Sequence, residues 1–257
     1  MSLAERVLEL GGARIQYWDG GQGKPVVFFH GAGGVERHAA FIPMLAERYR
    51  VLLPSRPGFS GSTGDPQTMA DVAALMADFI RAVAEPPVQL IGESAGGAPA
   101  CWLAVDQPEL LDKLILAAPA AFTVPSANPE TLTPEERDVR LFGLSPSYIS
   151  PPSAEDAAER RRNSAFHMSR WRSRDGNQDL LARLPEIKAR TLILWGTADR
   201  QIPPEQGEIY QKHIPRAHLM YIYGAAHALP VAAARQFVEL TTDFIERGEA
   251  FMVNRGI

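Results

Sequence analysis

Residues Val88–Gly97 read Val-Gln-Leu-Ile-Gly-Glu-Ser-Ala-Gly-Gly, and this stretch decides the fold. Its apolar start is typical of a buried strand, and the pattern Gly-x-Ser-x-Gly that follows opens an apolar helix. A serine at so sharp a turn needs a positive φ and neighbours without side chains, which Gly92 and Gly96 provide. A serine that only caps a helix would show the same five residues. The strand before and the helix after favour a nucleophile at Ser94 instead, held above the sheet at the positive end of a helix.

Outward from this turn, the chain alternates strands and helices. Apolar or alternating runs predict eight strands, at Arg6–Leu10, Arg14–Trp18, Val26–His30, Arg50–Pro54, Val88–Gly92, Lys113–Ala118, Thr191–Trp195 and His218–Tyr223. Apolar residues at helical spacing predict helices at Arg37–Arg48, Thr68–Ala84, Ala95–Asp106, Pro204–His213 and Val231–Arg247. Strands separated by helices imply a mostly parallel sheet with helices on both faces. Residues 121–185 interrupt this alternation with several prolines and no convincing strand, so we interpret them as an inserted lid.

The composition is that of an ordinary soluble domain. The chain has 257 residues, of which 46% are hydrophobic and 22% charged, and this balance excludes intrinsic disorder. A net charge of −4 leaves no basic excess to neutralise the phosphates of a nucleic acid. No apolar run approaches the about 20 residues of a membrane span, and the N-terminus lacks the apolar core of a signal peptide. The single cysteine, Cys101, cannot form an internal disulfide, so we expect a cytoplasmic protein. For its oligomeric state, both a monomer and a homodimer stay open.

A second glycine-rich loop follows the strand that begins at Val26. It reads His30-Gly31-Ala32-Gly33-Gly34. Hydrolysis of an ester builds negative charge on the carbonyl oxygen of the substrate, which two preorganised backbone N–H groups can stabilise. We expect these donors to be Ala95, directly after the serine, and Ala32 in this loop. His30 lies at the end of a buried strand, and we expect it to hold the loop by hydrogen bonding.

A serine nucleophile needs a general base, and the base needs a third group to fix its tautomer. His227 follows the last predicted strand, where a loop would hang over the carboxyl edge of the sheet. Asp199 follows the strand Thr191–Trp195 at the same edge. The sequence therefore predicts Ser94 as the nucleophile, His227 as the base and Asp199 as the orienting acid. His167 in the inserted segment is a weaker candidate for the base.

These motifs resemble those of the α/β-hydrolase superfamily, over nearly the whole chain. The resemblance implies an eight-stranded, mostly parallel sheet with a helical cap between the sixth and seventh strands. It divides the chain into a core of residues 1–120 and 186–257 and a cap of residues 121–185. It also assigns the same serine, aspartate and histidine to a catalytic triad. One departure is Ser55, which stands where many relatives carry an aspartate in a structural position.

The resemblance narrows the expected chemistry. Ser94 excludes the haloalkane dehalogenases and epoxide hydrolases of this fold, which carry Asp as the nucleophile. Ala228 after the histidine disfavours hydroxynitrile lyases and ring-cleavage C–C hydrolases, and Ala95 disfavours perhydrolases. We expect a serine hydrolase that cleaves a carboxylic ester, thioester or lactone of a small molecule, with no metal and no organic cofactor. Two alternatives are a cofactor-free enzyme such as a dioxygenase, and a ligand-binding receptor with slow turnover.

The substrate pocket is predicted from the loops and from the inserted segment. The predicted lining residues are Gly33, Glu93, Phe122, Phe142, Tyr148, Phe166, Trp171 and Leu229, with Leu141, Leu144 and Met168 as further candidates. The apolar members would serve equally well to pack the lid on the core. From Ser153 to Asp175 the chain contains four acidic residues and six arginines. The arginines are Arg160, Arg161, Arg162, Arg170, Arg172 and Arg174. This excess predicts either recognition of an anionic substrate or a solvated helix face.

Overall fold

The computed structural model describes residues 3–122, 132–171 and 178–248. Within them, eight strands form one sheet: β1 (Ala4–Leu10), β2 (Ala13–Gly20), β3 (Pro25–Phe29), β4 (Arg50–Pro54), β5 (Val88–Glu93), β6 (Leu111–Ala117), β7 (Arg190–Gly196) and β8 (Ala217–Ile222). Every predicted strand is present, and its bounds differ from the predicted ones by at most two residues at either end. The expected fold is confirmed.

The order of the strands places the carboxyl ends of the central strands at one edge. The sheet runs β1-β2-β4-β3-β5-β6-β7-β8. Strand β2 is antiparallel to both β1 and β4, and the remaining pairs are parallel. The loops after β3, β5, β7 and β8 therefore meet at the same edge, which is where ligands bind in open α/β sheets.

Helices cover both faces of the sheet. They are α1 (Phe41–Ala46), α2 (Met69–Val83), α3 (Gly97–Asp106), α4 (Pro134–Phe142), α5 (Ala154–Arg170), α6 (Gln178–Arg183), α7 (Gln206–His213), α8 (Leu229–Ala232) and α9 (Ala234–Arg247). Helices α2, α3 and α7 pack in one apolar cluster with the sheet. Helices α1 and α9 pack in a second cluster on the other face. No helix in the described part of the chain is long and apolar enough to cross a membrane.

Two of the predicted helices differ most from the observed ones. The helix predicted at Arg37–Arg48 is reduced to α1, because the residues before it form hydrogen bonds with a distant segment. The N–H of Ala40 donates to the carbonyl of Ser147, and the carbonyl of His38 accepts from Ile149. The helix predicted at Val231–Arg247 is split into α8 and α9 at Ala233, whose φ of −146° and ψ of 49° are not helical.

The segment between β6 and β7 contributes α4, α5 and α6. Both α4 and α5 begin with a capping box. The side-chain oxygen of the capping residue accepts from the N–H three residues later, and the acid at that later position accepts from the N–H of the capping residue. We call residues 121–185 the cap segment, of which 121–122, 132–171 and 178–185 are described. Its treatment as a unit separate from the core remains a prediction.

Candidate active site

Ser94 lies at the sharp turn between β5 and α3, in a single turn of 3₁₀ helix. Its φ is +48°, the left-handed conformation that the sequence predicted and that ordinary residues rarely adopt. The neighbouring glycines make this turn possible. A Cβ on Gly96 would lie 2.1 Å from the carbonyl oxygen of Phe29, and one on Gly92 would lie 2.6 Å from the Cβ of Ala100. Strand, serine and helix can approach so closely only because both positions lack a side chain.

The structure brings together the three residues predicted to form a triad. Nε2 of His227 lies 2.8 Å from the Oγ of Ser94, and Nδ1 lies 2.7 Å from Oδ2 of Asp199. His227 and Asp199 are both buried. A carboxylate only accepts, so Nδ1 of the neutral imidazole carries the proton and Nε2 accepts from the serine hydroxyl. These distances and this tautomer are those that a general base requires.

The carboxylate of Asp199 is held by four donors. Oδ1 accepts from the backbone N–H groups of Gln201 at 2.8 Å and Ile202 at 2.9 Å. Oδ2 accepts from the indole N–H of Trp195 at 3.0 Å as well as from His227. Sequence analysis did not identify the tryptophan, although its place at the end of β7, four residues before the aspartate, was a usable signal. The four hydrogen bonds fix the direction in which the carboxylate faces the imidazole.

The two predicted oxyanion donors are available. Among the described residues, the backbone N–H groups of Ala32 and Ala95 donate no hydrogen bond to another loop or strand. His30 holds the loop as expected: its Nδ1 donates to the carbonyl of Gly31 at 2.7 Å, and its Nε2 accepts from the N–H of Arg56 at 3.0 Å. Burial lowers the pKa of His30 well below its usual value, so the ring is neutral.

Glu93 and Arg56 each tie this loop to the serine turn. The carboxylate of Glu93 accepts from the N–H of Gly31 at 2.8 Å, and burial raises the pKa of Glu93. The fully buried guanidinium of Arg56 donates to the carbonyl oxygens of His30 at 2.9 Å, Gly31 at 3.2 Å and Ala95 at 3.3 Å. Burial lowers the pKa of Arg56 to about 9, so it stays charged at neutral pH. Sequence analysis missed Arg56, because its partners lie far away in the chain.

Ser55 takes the place of the aspartate that many relatives carry. It is fully buried, and its Oγ donates to the carbonyl of Phe59 at 3.0 Å. Its own carbonyl oxygen accepts from the Oγ of Ser62 at 2.7 Å. These hydrogen bonds hold the loop after β4 without an acid.

A charge cluster from the cap segment lies against the loop after β3. Arg160 of α5 lies 3.6 Å from the carboxylate of Glu36 and 3.0 Å from that of Asp138, with its guanidinium 4.7 Å from the ring centre of Phe142. A Cβ on Gly33 would lie 2.9 Å from the Cγ of Arg160. Burial raises the pKa of Glu36 to about 7 in spite of the arginine.

Glu36→Gln is expected to raise the free energy of unfolding near pH 8.5 by about 1–3 kcal/mol, with little effect near pH 5. The folded protein binds the proton of Glu36 more tightly than the unfolded chain does. The stability of the wild type therefore falls as the pH rises from about 4.5 to about 7, and the neutral amide avoids this loss. Urea unfolding at the two pH values measures the difference, with the exposed Glu47→Gln as the control. A stabilisation that does not change with pH would contradict the prediction.

The arginines of the cap segment do not act as one group. Arg160 is 13% exposed and faces the loop after β3, whereas Arg162 is 63% exposed and pairs with an exposed glutamate. Arg170 pairs with an aspartate of the loop before α2. Arg172 and Arg174 lie outside the described residues. Of these three arginines, Arg160 is therefore the one that lies against the loop after β3.

The predicted pocket residues fall into three groups. Those around the loop after β3 and its charge cluster are Gly33, Glu93, Phe142 and Tyr148. Phe122 stacks on a tyrosine of α7, and Phe166 packs edge-on against a phenylalanine of the loop after β4. Trp171 and Leu229 are buried in the two apolar clusters, a placement that favours packing over lining. Among the described residues, no group of three or more His, Cys, Asp or Glu side chains is arranged to hold a metal ion.

Comparison with known proteins decides the family. The sequence profile described as the alpha/beta hydrolase family matches residues 26–240. The chain belongs to this family. It is 31% identical to the 2-hydroxy-6-oxo-6-phenylhexa-2,4-dienoate hydrolase of Burkholderia cepacia, over 91% of this chain and 92% of that protein. It is 27% identical to the 2-hydroxymuconate semialdehyde hydrolase of Pseudomonas sp. strain CF600, over 95% and 94% of the two chains.

Solved structures share the fold. A serine hydrolase involved in carbazole degradation superimposes with a TM-score of 0.80 at 22% identity, over 95% of this chain and 99% of that one. A bacterial membrane phospholipase A gives 0.78 at 23% identity, over 95% and 86%. Hydrolases of 6-oxo-dienoic acids are thus among the relatives of this chain, although Ala228 disfavoured that class.

Proposed function

We propose that this chain is a hydrolase that forms an acyl-enzyme on Ser94. The proposal rests on the chain of hydrogen bonds from Ser94 through His227 to Asp199. His227 takes the hydroxyl proton as the oxygen attacks the substrate carbonyl, and the N–H groups of Ala32 and Ala95 stabilise the negatively charged oxygen. When the leaving group departs, it receives that proton. Water, deprotonated by His227, then releases the acid and restores the serine.

The first substrate class that we propose is a 2-hydroxy-6-oxo-dienoic acid. Relatives named for such substrates align with more than 90% of this chain and of their own length. These compounds contain no ester, so their hydrolysis has to break the carbon–carbon bond beside the 6-oxo group. Cleavage requires the keto tautomer, in which the proton of the 2-hydroxy group has moved to carbon 5. The electron pair left on carbon 5 is then conjugated with the 3-en-2-one, so the fragment leaves as a dienolate. A carboxylic ester, the class expected from the sequence, is the second candidate, because the same acyl-enzyme serves both.

The experiment offers both substrate classes to the purified protein. One arm uses 2-hydroxy-6-oxo-6-phenylhexa-2,4-dienoate and follows loss of its conjugated absorption and formation of benzoate. The other uses 4-nitrophenyl esters of increasing acyl length. A kcat/KM for the dienoate at least about 100-fold above every ester supports the first class, and the reverse ratio supports the second. Absence of turnover, together with no adduct at Ser94 after treatment with a fluorophosphonate, would overturn the proposal.

Arg160→Met is expected to raise KM for the dienoate by about 10- to 100-fold and to leave KM for a neutral ester nearly unchanged. A hydrogen bond to a charged group contributes about 1.5–3 kcal/mol, and a substrate carboxylate beside Gly33 would gain this contact with Arg160. Arg162→Met, which removes an exposed arginine of the same helix, is the matched control. Equal losses for anionic and neutral substrates would assign the arginine to packing alone.

A further inference from the structure

Helix α5 lies with one face against the segment that follows β3. Asp156, Glu159 and Asn163 recur at helical spacing, so their side chains share that face. Arg37 of the core lies 2.7 Å from the carboxylate of Asp156 and 3.1 Å from that of Glu159. The contact one turn further along the helix is of a different kind, because it is made with the backbone of the glycine-rich loop.

Asn163 is buried, and its amide is fully used by two loops of the core. Its Nδ2 donates to the carbonyl of Gly33 at 3.0 Å and lies 3.3 Å from the Oγ of Ser60. Its Oδ1 accepts from the N–H of Ser60 at 3.1 Å. Ser60 has a φ of +47°, so the amide also holds a strained residue in place. A side chain with both a donor and an acceptor at this point joins two core loops to the cap segment.

The glycine-rich loop is shaped to receive this side chain. Gly34 has a φ of +93°, and a Cβ there would lie 2.4 Å from Nδ2 of Asn163. The entry to the loop is held from the core, since the N–H of Gly31 is bound by Glu93. The exit is held from the cap segment, at the carbonyl of Gly33. Ala32, whose N–H donates no hydrogen bond to another loop or strand among the described residues, lies between these two anchors.

We propose that Asn163 is a positioning residue through which the cap segment completes the oxyanion hole. By fixing the exit of the loop, it keeps the N–H of Ala32 directed at the place where negative charge develops during attack by the serine. This inference rests on the proposed function. It implies that the oxyanion hole stabilises the negative charge fully only while α5 contacts the loop after β3.

The test compares two variants of this residue with one control. Asn163→Ala removes the amide, whereas Asn163→Asp keeps the size and the acceptor for Ser60 but places an oxygen against the carbonyl of Gly33. Glu159→Gln is the matched control, because it weakens a docking contact of the same helix and leaves the loop untouched. The measurements are kcat, KM and the rate of phosphonylation of Ser94 by a fluorophosphonate, at a temperature well below the lowest Tm.

Both Asn163 variants are expected to lower kcat and the phosphonylation rate by about 10- to 100-fold, with KM within about threefold of wild type. Glu159→Gln is expected to stay within about twofold in all three quantities. Wild-type protein that is not labelled at Ser94 would overturn the proposed function itself. If the wild type is labelled, three results would each overturn the role of Asn163. The first is an Asn163→Asp variant that is phosphonylated as fast as wild type. The others are a change in KM alone and a loss in Glu159→Gln equal to that in the Asn163 variants. If Asn163→Ala does not fold, the isosteric aspartate variant decides.

Discussion

Ser94→Ala is expected to reduce kcat by about 10⁵- to 10⁶-fold and to leave the fold intact. The variant removes the hydroxyl oxygen that lies 2.8 Å from Nε2 of His227 and that we propose as the nucleophile. The backbone donors and the pocket remain, so the residual rate measures what they supply without a nucleophile. Alanine meets the same backbone demand as serine at a φ of +48°, and we expect a change in Tm of a few degrees at most.

The measurement pairs steady-state turnover with intact mass after fluorophosphonate treatment. Wild type should gain one adduct, and Ser94→Ala should gain none. Ser169→Ala, which changes an exposed hydroxyl on α5, is the control and should keep both activity and adduct. A Ser94→Ala protein that still carries the adduct, or that keeps more than about a tenth of the activity, would remove this residue from the mechanism.

The triad residues could be predicted because each follows a strand that the sequence marks strongly. Runs of apolar residues locate β5 and β7, and a shorter, more mixed run locates β8. Parallel strands bring the carboxyl ends of all three to one edge. Ser94, Asp199 and His227 therefore had to lie near one another once the strands were assigned. Their chain order added the assignment of roles. No long-range contact had to be known in advance.

Residues whose position depends on distant partners could not be predicted in this way. Asn163 contacts Gly33, which is 130 residues earlier in the chain, and Arg56 contacts Ala95, which is 39 residues later. The helix predicted at Arg37–Arg48 failed for the same reason, since its first turn pairs with the cap segment instead. Local patterns describe what a segment prefers alone, and these contacts form only after the elements have packed.

The count of charged residues in the cap segment did not show which way each arginine side chain points. Arg160 and Arg162 are two residues apart on α5, which turns the chain by about 200°. One therefore faces the loop after β3 and the other faces solvent. The rotation of α5 about its own axis decides which of the two arginines faces the loop after β3. Contacts such as the ion pair between Arg37 and Asp156 fix that rotation.

Asp199→Asn is expected to lower kcat by about 10⁴-fold. The carboxylate accepts at both oxygens, from His227 and Trp195 on one side and from the N–H groups of Gln201 and Ile202 on the other. An amide can accept at only one of these sides. If its nitrogen faces His227, the ring must carry its proton on Nε2 and can no longer take one from the serine. If its nitrogen faces the backbone, two buried N–H groups lose their acceptor, at a cost of about 1–3 kcal/mol each.

Trp195→Phe separates the two effects of that substitution, because it removes one hydrogen bond to Asp199 and leaves the carboxylate and the imidazole in place. It should lower kcat by at most about tenfold, against about 10⁴-fold for the amide variant. Kinetics over a range of pH, with urea unfolding in parallel, distinguish loss of the base from loss of stability. If Asp199→Asn kept more than about a tenth of the activity, another carboxylate would have to orient His227.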